Sequence, residues 1–149
     1  MPDAIDPREI SNCSCLHLRR AARRLTRLYD HALEPAGLTV NQFGLLANLH
    51  GAGGAGLSIG ALAERLGMDP TTLNRDLKPL RADGLVRDAA DPLDRRVRLV
   101  LVTAKGRARL AKAVPHWRRV QQETEAKLGR ERTQNLNALL DLVARQPAR

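Results

Sequence analysis

Two groups of side chains in this sequence have types and spacings suited to chemistry. The first heads the stretch "NCSCLHLRRAARRLTRLYD", where Cys13 and Cys15 stand one residue apart before a run of arginines. Closely spaced thiols can ligate a metal, undergo oxidation, or pack as small hydrophobes. A closed zinc site wants C-x(2–4)-C pairs and a full tetrahedral set. Cys13 and Cys15, even with His17 and His31, supply neither, so no metal is expected. A Cys13–Cys15 disulfide is disfavoured if both lie in one helix, because residues two apart then point about 200° apart. The second group is "TTLNRDLK", which offers Thr71, Thr72, Asn74, Arg75 and Lys78. Asn and Arg can pair bidentately with adenine and guanine edges, while hydroxyls and ammonium groups suit phosphate oxygens. An enzyme is not expected: there is no glycine-rich phosphate loop, and His17, His31, His50 and His116 are scattered. No catalytic residue and no cofactor is therefore assigned.

The elements that must position these groups follow from the hydrophobic pattern. Residues 8–34 predict one long amphipathic helix. Cys15, Leu18, Ala22, Leu25, Tyr29 and Ala32 form a stripe along it, and Arg19, Arg20, Arg23, Arg24 and Arg27 fall mostly off that stripe. On this pattern Cys15 faces packed protein and Cys13 does not. Pro35 and Gly37 stop the helix, and Thr39 caps a second one through Leu49. Ser58 caps a short third helix that Gly67 ends, and Asp69 with Pro70 starts a fourth. In that fourth helix Leu73, Leu77 and Leu80 make the buried face, which leaves the Thr/Asn/Arg/Lys set turned outward. Pro79 removes one hydrogen bond from its last turn, and Gly84 closes it.

The period then changes from helical to alternating. Leu85 and Val86, a polar turn with Asp91-Pro92, and Val97, Leu99 and Leu101 predict a two-stranded antiparallel hairpin. A helix, a turn, a second helix and a hairpin make a winged helix-turn-helix. Helical periods return over 104–128, with a kink expected at Pro115, and again over about 131–145. The terminal helices carry more apolar stripe than a small winged domain can cover. They are expected to pack on a second copy of the chain.

Composition agrees with a mainly α fold of one domain. The chain has 149 residues, 43% hydrophobic but only 2% aromatic, so leucine and alanine carry the core. No apolar run approaches the ~20 residues of a membrane span, and "MPDAIDPREI" lacks the basic and apolar regions of a secretory signal. The expected location is the cytoplasm, with no structural disulfide. The net charge of +9 suggests a polyanionic partner, although the excess lies mainly in the C-terminal third, where residues 107–149 hold ten basic and four acidic groups.

The segments "LTVNQF", "LAERLGMDPTTLNRDLKPLRADGLV" and "DPLDRRVRLVLVTAKG", followed by long closing helices, resemble the MarR family of bacterial transcription regulators. Asp94-Arg95-Arg96 with Thr103 and Gly106 behind it is among the more specific of these features. The resemblance covers nearly the whole chain, read as a single domain over 1–149. It implies dimerisation helices at about 8–34 and 104–149 and a DNA-binding lobe at about 39–103. It further implies a homodimer that binds a palindromic double-stranded operator, with recognition helices in major grooves and wings at the flanking minor grooves. Arg95 is then the candidate for minor-groove insertion, with Arg96 beside it and Asp94 shaping the wing. Cys15 and Tyr29 keep the fourteen-residue spacing of the organic-hydroperoxide-sensing branch, in which the tyrosine hydrogen-bonds the reactive thiol. Where that branch has a second tyrosine, this chain has Arg19. The resemblance thus implies a repressor released by an oxidant acting on Cys15; the role of Cys13, for instance as a resolving thiol across the dimer, is left open by the sequence. The other effector it implies is a small aromatic or carboxylate ligand between the lobes.

Overall fold

Leucines from five helices converge on one core with valines of the sheet, and their placement explains the order of elements. In the computed structural model, which describes residues 6–145, the chain runs α1 (Pro7–Ser11), α2 (Ser14–Leu33), α3 (Val40–Gly51), β1 (Leu57–Ser58), α4 (Ile59–Leu66), α5 (Pro70–Ala82), β2 (Val86–Ala90), β3 (Arg98–Val102), α6 (Ala104–Leu128) and α7 (Arg130–Ala144). Residues 1–5, on which the expectation of no secretory signal partly rests, and residues 146–149 lie outside the described range. Leu45, Leu46 and Leu49 of α3, Leu62 of α4, and Leu73, Leu77 and Leu80 of α5 are essentially inaccessible, as are Leu85 and Val100. Phe43 of α3 stacks on Trp117 of α6 with ring centroids 5.6 Å apart, which joins the long helix to this core.

Local caps set the helix starts. Thr39 and Gln42 form a reciprocal capping box at α3. Ser58 caps α4, and Gly67 ends it in the left-handed conformation. Asp69 caps α5 with Pro70 in its first turn, and the helix runs on through Pro79 to Ala82. Long helices α6 and α7 follow, with Pro115 inside α6.

Three features differ from the sequence reading. The first helix is broken. Asp6 and Pro7 start a short α1, Ser11 Oγ donates back to the Pro7 carbonyl, and Cys13 is extended with φ −67° and ψ 110°. Short polar side chains such as those of "SNCS" bond their own backbone and compete with helix continuation. The wing is a three-stranded sheet of order β1-β3-β2 rather than a two-stranded hairpin, with Leu57 opposite Val100 and Val86 opposite Val102. Two residues are too few to show alternation, so β1 left no periodic signal. Gly56 permits this pairing: at φ +68°, a Cβ there would stand 2.7 Å from the Val100 carbonyl oxygen.

The third difference concerns burial of the first helix's stripe. Leu33 at the end of α2 is buried and Tyr29 and Leu18 are half-buried, but Cys15, Ala22 and Leu25 are exposed. The C-terminal part of α2 packs on α6, whereas its N-terminal part is left largely exposed by the described residues. The expectation that Cys15 faces packed protein is therefore not met within one chain.

Candidate nucleic-acid interface

Helix α5 presents the side chains singled out above on its open face. Leu73, Leu77 and Leu80 anchor it, while Thr71, Asn74, Arg75 and Lys78 are exposed. Their availability differs. Arg75 is 76% exposed and lies 3.8 Å from Asp76, too loose a contact to hold it. Asn74 Nδ2 donates to the Pro70 carbonyl at 3.1 Å, which leaves its carbonyl oxygen open. Thr72 departs from the expectation of a free hydroxyl. It is half-buried, and both its backbone N–H and its hydroxyl donate to the Asp69 carboxylate. The hydroxyl bond, followed by the backbone bond, holds the Asp69 carboxyl below its ordinary value of 3.8. Thr72 thus serves the cap that starts α5, and Thr71 is the freer of the two.

The wing tip spans residues 91–97, between β2 and β3. Asp94 accepts from the Arg96 backbone N–H at 3.0 Å and from Arg96 Nε and Nη2, both at 3.1 Å. The Arg96 guanidinium beside it holds the Asp94 carboxyl below its ordinary value. Arg95 is exposed and has no hydrogen-bond or ion-pair partner among the described residues. The two adjacent arginines are therefore different objects: one is tied to the loop and the other projects from it.

Several contacts that lock wing to helix were not singled out from the sequence. Arg81 of α5 donates to both Asp88 oxygens of β2 at 2.9 and 3.0 Å. Thr103 Oγ1 donates to the Gly84 carbonyl at 2.7 Å, and Lys105 Nζ donates to the Asp83 carbonyl at 2.7 Å. A Cβ on Gly106 would fall 2.0 Å from the Leu85 carbonyl oxygen, so the start of α6 presses on the α5–β2 connection. Among these, Thr103 and Gly106 carried a sequence signal. Arg81 and Asp88, seven residues apart and on different elements, carried none.

The cysteine helix has another geometry. Cys13 is half-buried and sits outside α2 as its N-cap, while Cys15 is exposed in the first turn and Arg19 is exposed one turn later. The argument that the two thiols diverge by about 200° presumes a shared helix, and that premise fails. Tyr29 lies fourteen residues along the same helix from Cys15, about 21 Å at helical rise, so the two cannot meet within one chain. Its hydroxyl instead donates to Gln121 Oε1 of α6 at 2.6 Å, and Gln121 Nε2 donates to Glu125 Oε1 at 2.7 Å. Among the described residues no group of three or more His, Cys, Asp or Glu is placed to hold a metal, and no helix is long and apolar enough to cross a membrane.

A recognition helix locked to a three-stranded wing defines a winged helix-turn-helix protein. A MarR family model matches residues 36–97, the segment that contains α5, β1, β2 and the wing tip and stops just before β3. The structure is similar to that of the M. tuberculosis transcriptional regulator MosR, at 45% identity and a TM-score of 0.77, covering 89% of this chain and 96% of that one. The same regulator in complex with DNA is 43% identical, with a TM-score of 0.75, covering 91% of this chain and 100% of that one. The HTH-type transcriptional regulator TtmR of Methylorubrum extorquens is 34% identical over 74% of this chain, and the chain spans only 57% of that protein's length. A structure of Bordetella bronchiseptica BpsR, described as showing regulation of its DNA binding by 6-hydroxynicotinic acid, is 26% identical with a TM-score of 0.83, covering 97% of this chain and 100% of that one. The chain belongs to the MarR family of DNA-binding transcriptional regulators, and its relatives are regulators rather than enzymes.

Proposed function

We propose that this chain works as a homodimeric repressor that binds a palindromic double-stranded operator and releases it when an oxidant modifies Cys15. The observation that carries the DNA-reading part is the locked pair of α5 and wing. Thr71, Asn74, Arg75 and Lys78 face outward, and Arg95 projects from a tip whose other arginine is tied down. Arg75 and Asn74 take base edges, Thr71 and Lys78 take phosphates, and Arg95 enters the minor groove. Thr72 contributes through the cap, and Arg96 with Asp94 holds the wing tip in shape. The dimer rests on α1, α2 and α7, where Ile10, Leu16, Leu25, Leu136, Leu139 and Leu142 are exposed. A second copy covering them fixes the separation of two readers at about one DNA turn, ~34–36 Å.

The redox part rests on the broken first helix. Cys15 is exposed at the start of α2, and Cys13 stands outside the helix two residues away. A hydroperoxide oxidises the Cys15 thiolate to a sulfenic acid and is reduced to its alcohol. The Cys13 thiol then attacks the Cys15 sulfur, forming a disulfide and releasing water. Closing that link remodels the α1–α2 junction and, through the dimer, misaligns one reader against the other. Ligand release is the second reading. A groove of about 450 Å³ between α2 and α6 includes Arg119, which suits a carboxylate, although Glu34 and Glu123 also line it. BpsR, whose DNA binding responds to an aromatic acid, supports this reading by similarity.

The test is binding of the reduced protein to DNA upstream of its own gene, before and after an organic hydroperoxide. Oxidant should release the wild type and leave Cys15→Ser bound. Release of both proteins alike, or of neither, contradicts the thiol mechanism. Release of both by a small aromatic carboxylate selects the ligand reading.

A further inference from the structure

Leu93 is 96% exposed, more than any other large hydrophobic residue described. The other exposed large hydrophobics, from Ile10 to Val143, all lie on α1, α2, α6 or α7. Leu93 alone belongs to the wing, and its loop is ordered rather than slack. Its backbone N–H donates to Asp91 Oδ1 at 2.9 Å. The Asp91 N–H donates to the Val97 carbonyl, and the Val97 N–H donates to the Asp94 carbonyl, each at 2.9 Å. Pro92 restricts the preceding turn. The tip thus holds one apolar side chain out in water, two residues from the unpaired Arg95.

One leucine is far too little apolar surface for a protein-protein interface. A narrow groove with C–H sugar walls and an anionic field suits an apolar group beside a cation, and the DNA minor groove has that character. We infer that Leu93 enters the minor groove with Arg95, packs on the deoxyribose walls, and disfavours G·C pairs beneath the wing. The physical reason is the guanine N2 amine, the one donor on the minor-groove floor. Leucine offers it no acceptor and displaces the water that does, so a G·C pair there leaves a donor unpaired. This inference rests on the DNA-reading role of the wing proposed above.

The experiment measures affinity for operators whose wing-contacted flank carries A·T, G·C or inosine·C pairs, across a salt series. Inosine lacks only the N2 amine. Wild-type protein should bind the A·T and inosine·C flanks about tenfold more tightly than G·C. Leu93→Ala should lose roughly fivefold to tenfold on the A·T flank and most of the discrimination, with its salt slope unchanged. Arg95→Ala should instead lower the salt slope by about one. Equal wild-type binding to G·C and inosine·C overturns the inference, as does a Leu93→Ala protein that keeps full affinity and preference. If the wild type binds none of these duplexes specifically, the proposed DNA-reading role itself fails, an outcome distinct from both.

Discussion

Helices α5 and α2 are both amphipathic, yet among the described residues only α5 has its apolar face covered along its whole length. In α5 the residues Leu73, Leu77 and Leu80 are sealed by α3, α4 and the sheet. In α2 the sealing reaches Leu33 at one end, while Leu16 and Leu25 remain open. The same sequence pattern therefore has two meanings. A stripe covered by its own chain anchors the proposed reader, and a stripe left open, continued on α7, is the surface proposed for a second copy.

Truncation on the two sides sharpens this contrast most. Leu77→Ala should cost about 2–5 kcal/mol in urea unfolding, the usual range for a sealed core leucine. Leu139, 60% exposed on α7, should behave differently when changed to Ala: little loss of intrinsic stability, but unfolding that depends more strongly on protein concentration. Equal costs at the two sites would break the comparison.

Within the reader, Arg75→Ala should lose about 1–3 kcal/mol of specific binding and relax base preference at one position. Lys78→Ala should weaken all sequences alike and reduce the salt slope by about one. The same behaviour in both variants would mean that α5 contacts only the backbone.

The smallest effect concerns pH at the wing tip. The Asp94 carboxyl is held below 3.8 by Arg96, so the folded state favours its ionised form. Its contribution is present above the ordinary carboxylate range and is lost as pH falls through the lowered value. Order at Arg95 and Arg96, followed by NMR, should therefore be flat from neutral pH down to about 3.8 and loosen only below it. Asp94→Asn should loosen the tip at neutral pH.

Much of the reading lobe was legible because its signals are local. Asp69-Pro70, Ser58 and Gly67 mark helix ends by backbone chemistry that needs no distant partner, and three leucines at helical spacing fixed which face of α5 points out. The cysteine region was less legible. Its apolar stripe starts only at Cys15, so the break at Asn12 and Cys13 depends on side-chain-to-backbone competition that a pattern cannot weigh. The Tyr29–Gln121 bond spans 92 residues, and only the packing of α2 on α6 brings the pair together. Thr72 looked like Thr71 until the cap claimed its hydroxyl. Arg95 was separable from Arg96 in the sequence itself, because Asp94 stands two residues from the arginine it ties.

In the proposed dimer a complete reader resides in each chain and a second copy sets the spacing between readers. The most direct test is the mass of the protein–DNA complex on a palindromic operator, measured alongside a single half-site. Two chains per duplex, with half-site binding weaker by orders of magnitude, is the predicted result. One chain bound per duplex, with the half-site held as tightly as the palindrome, would contradict it.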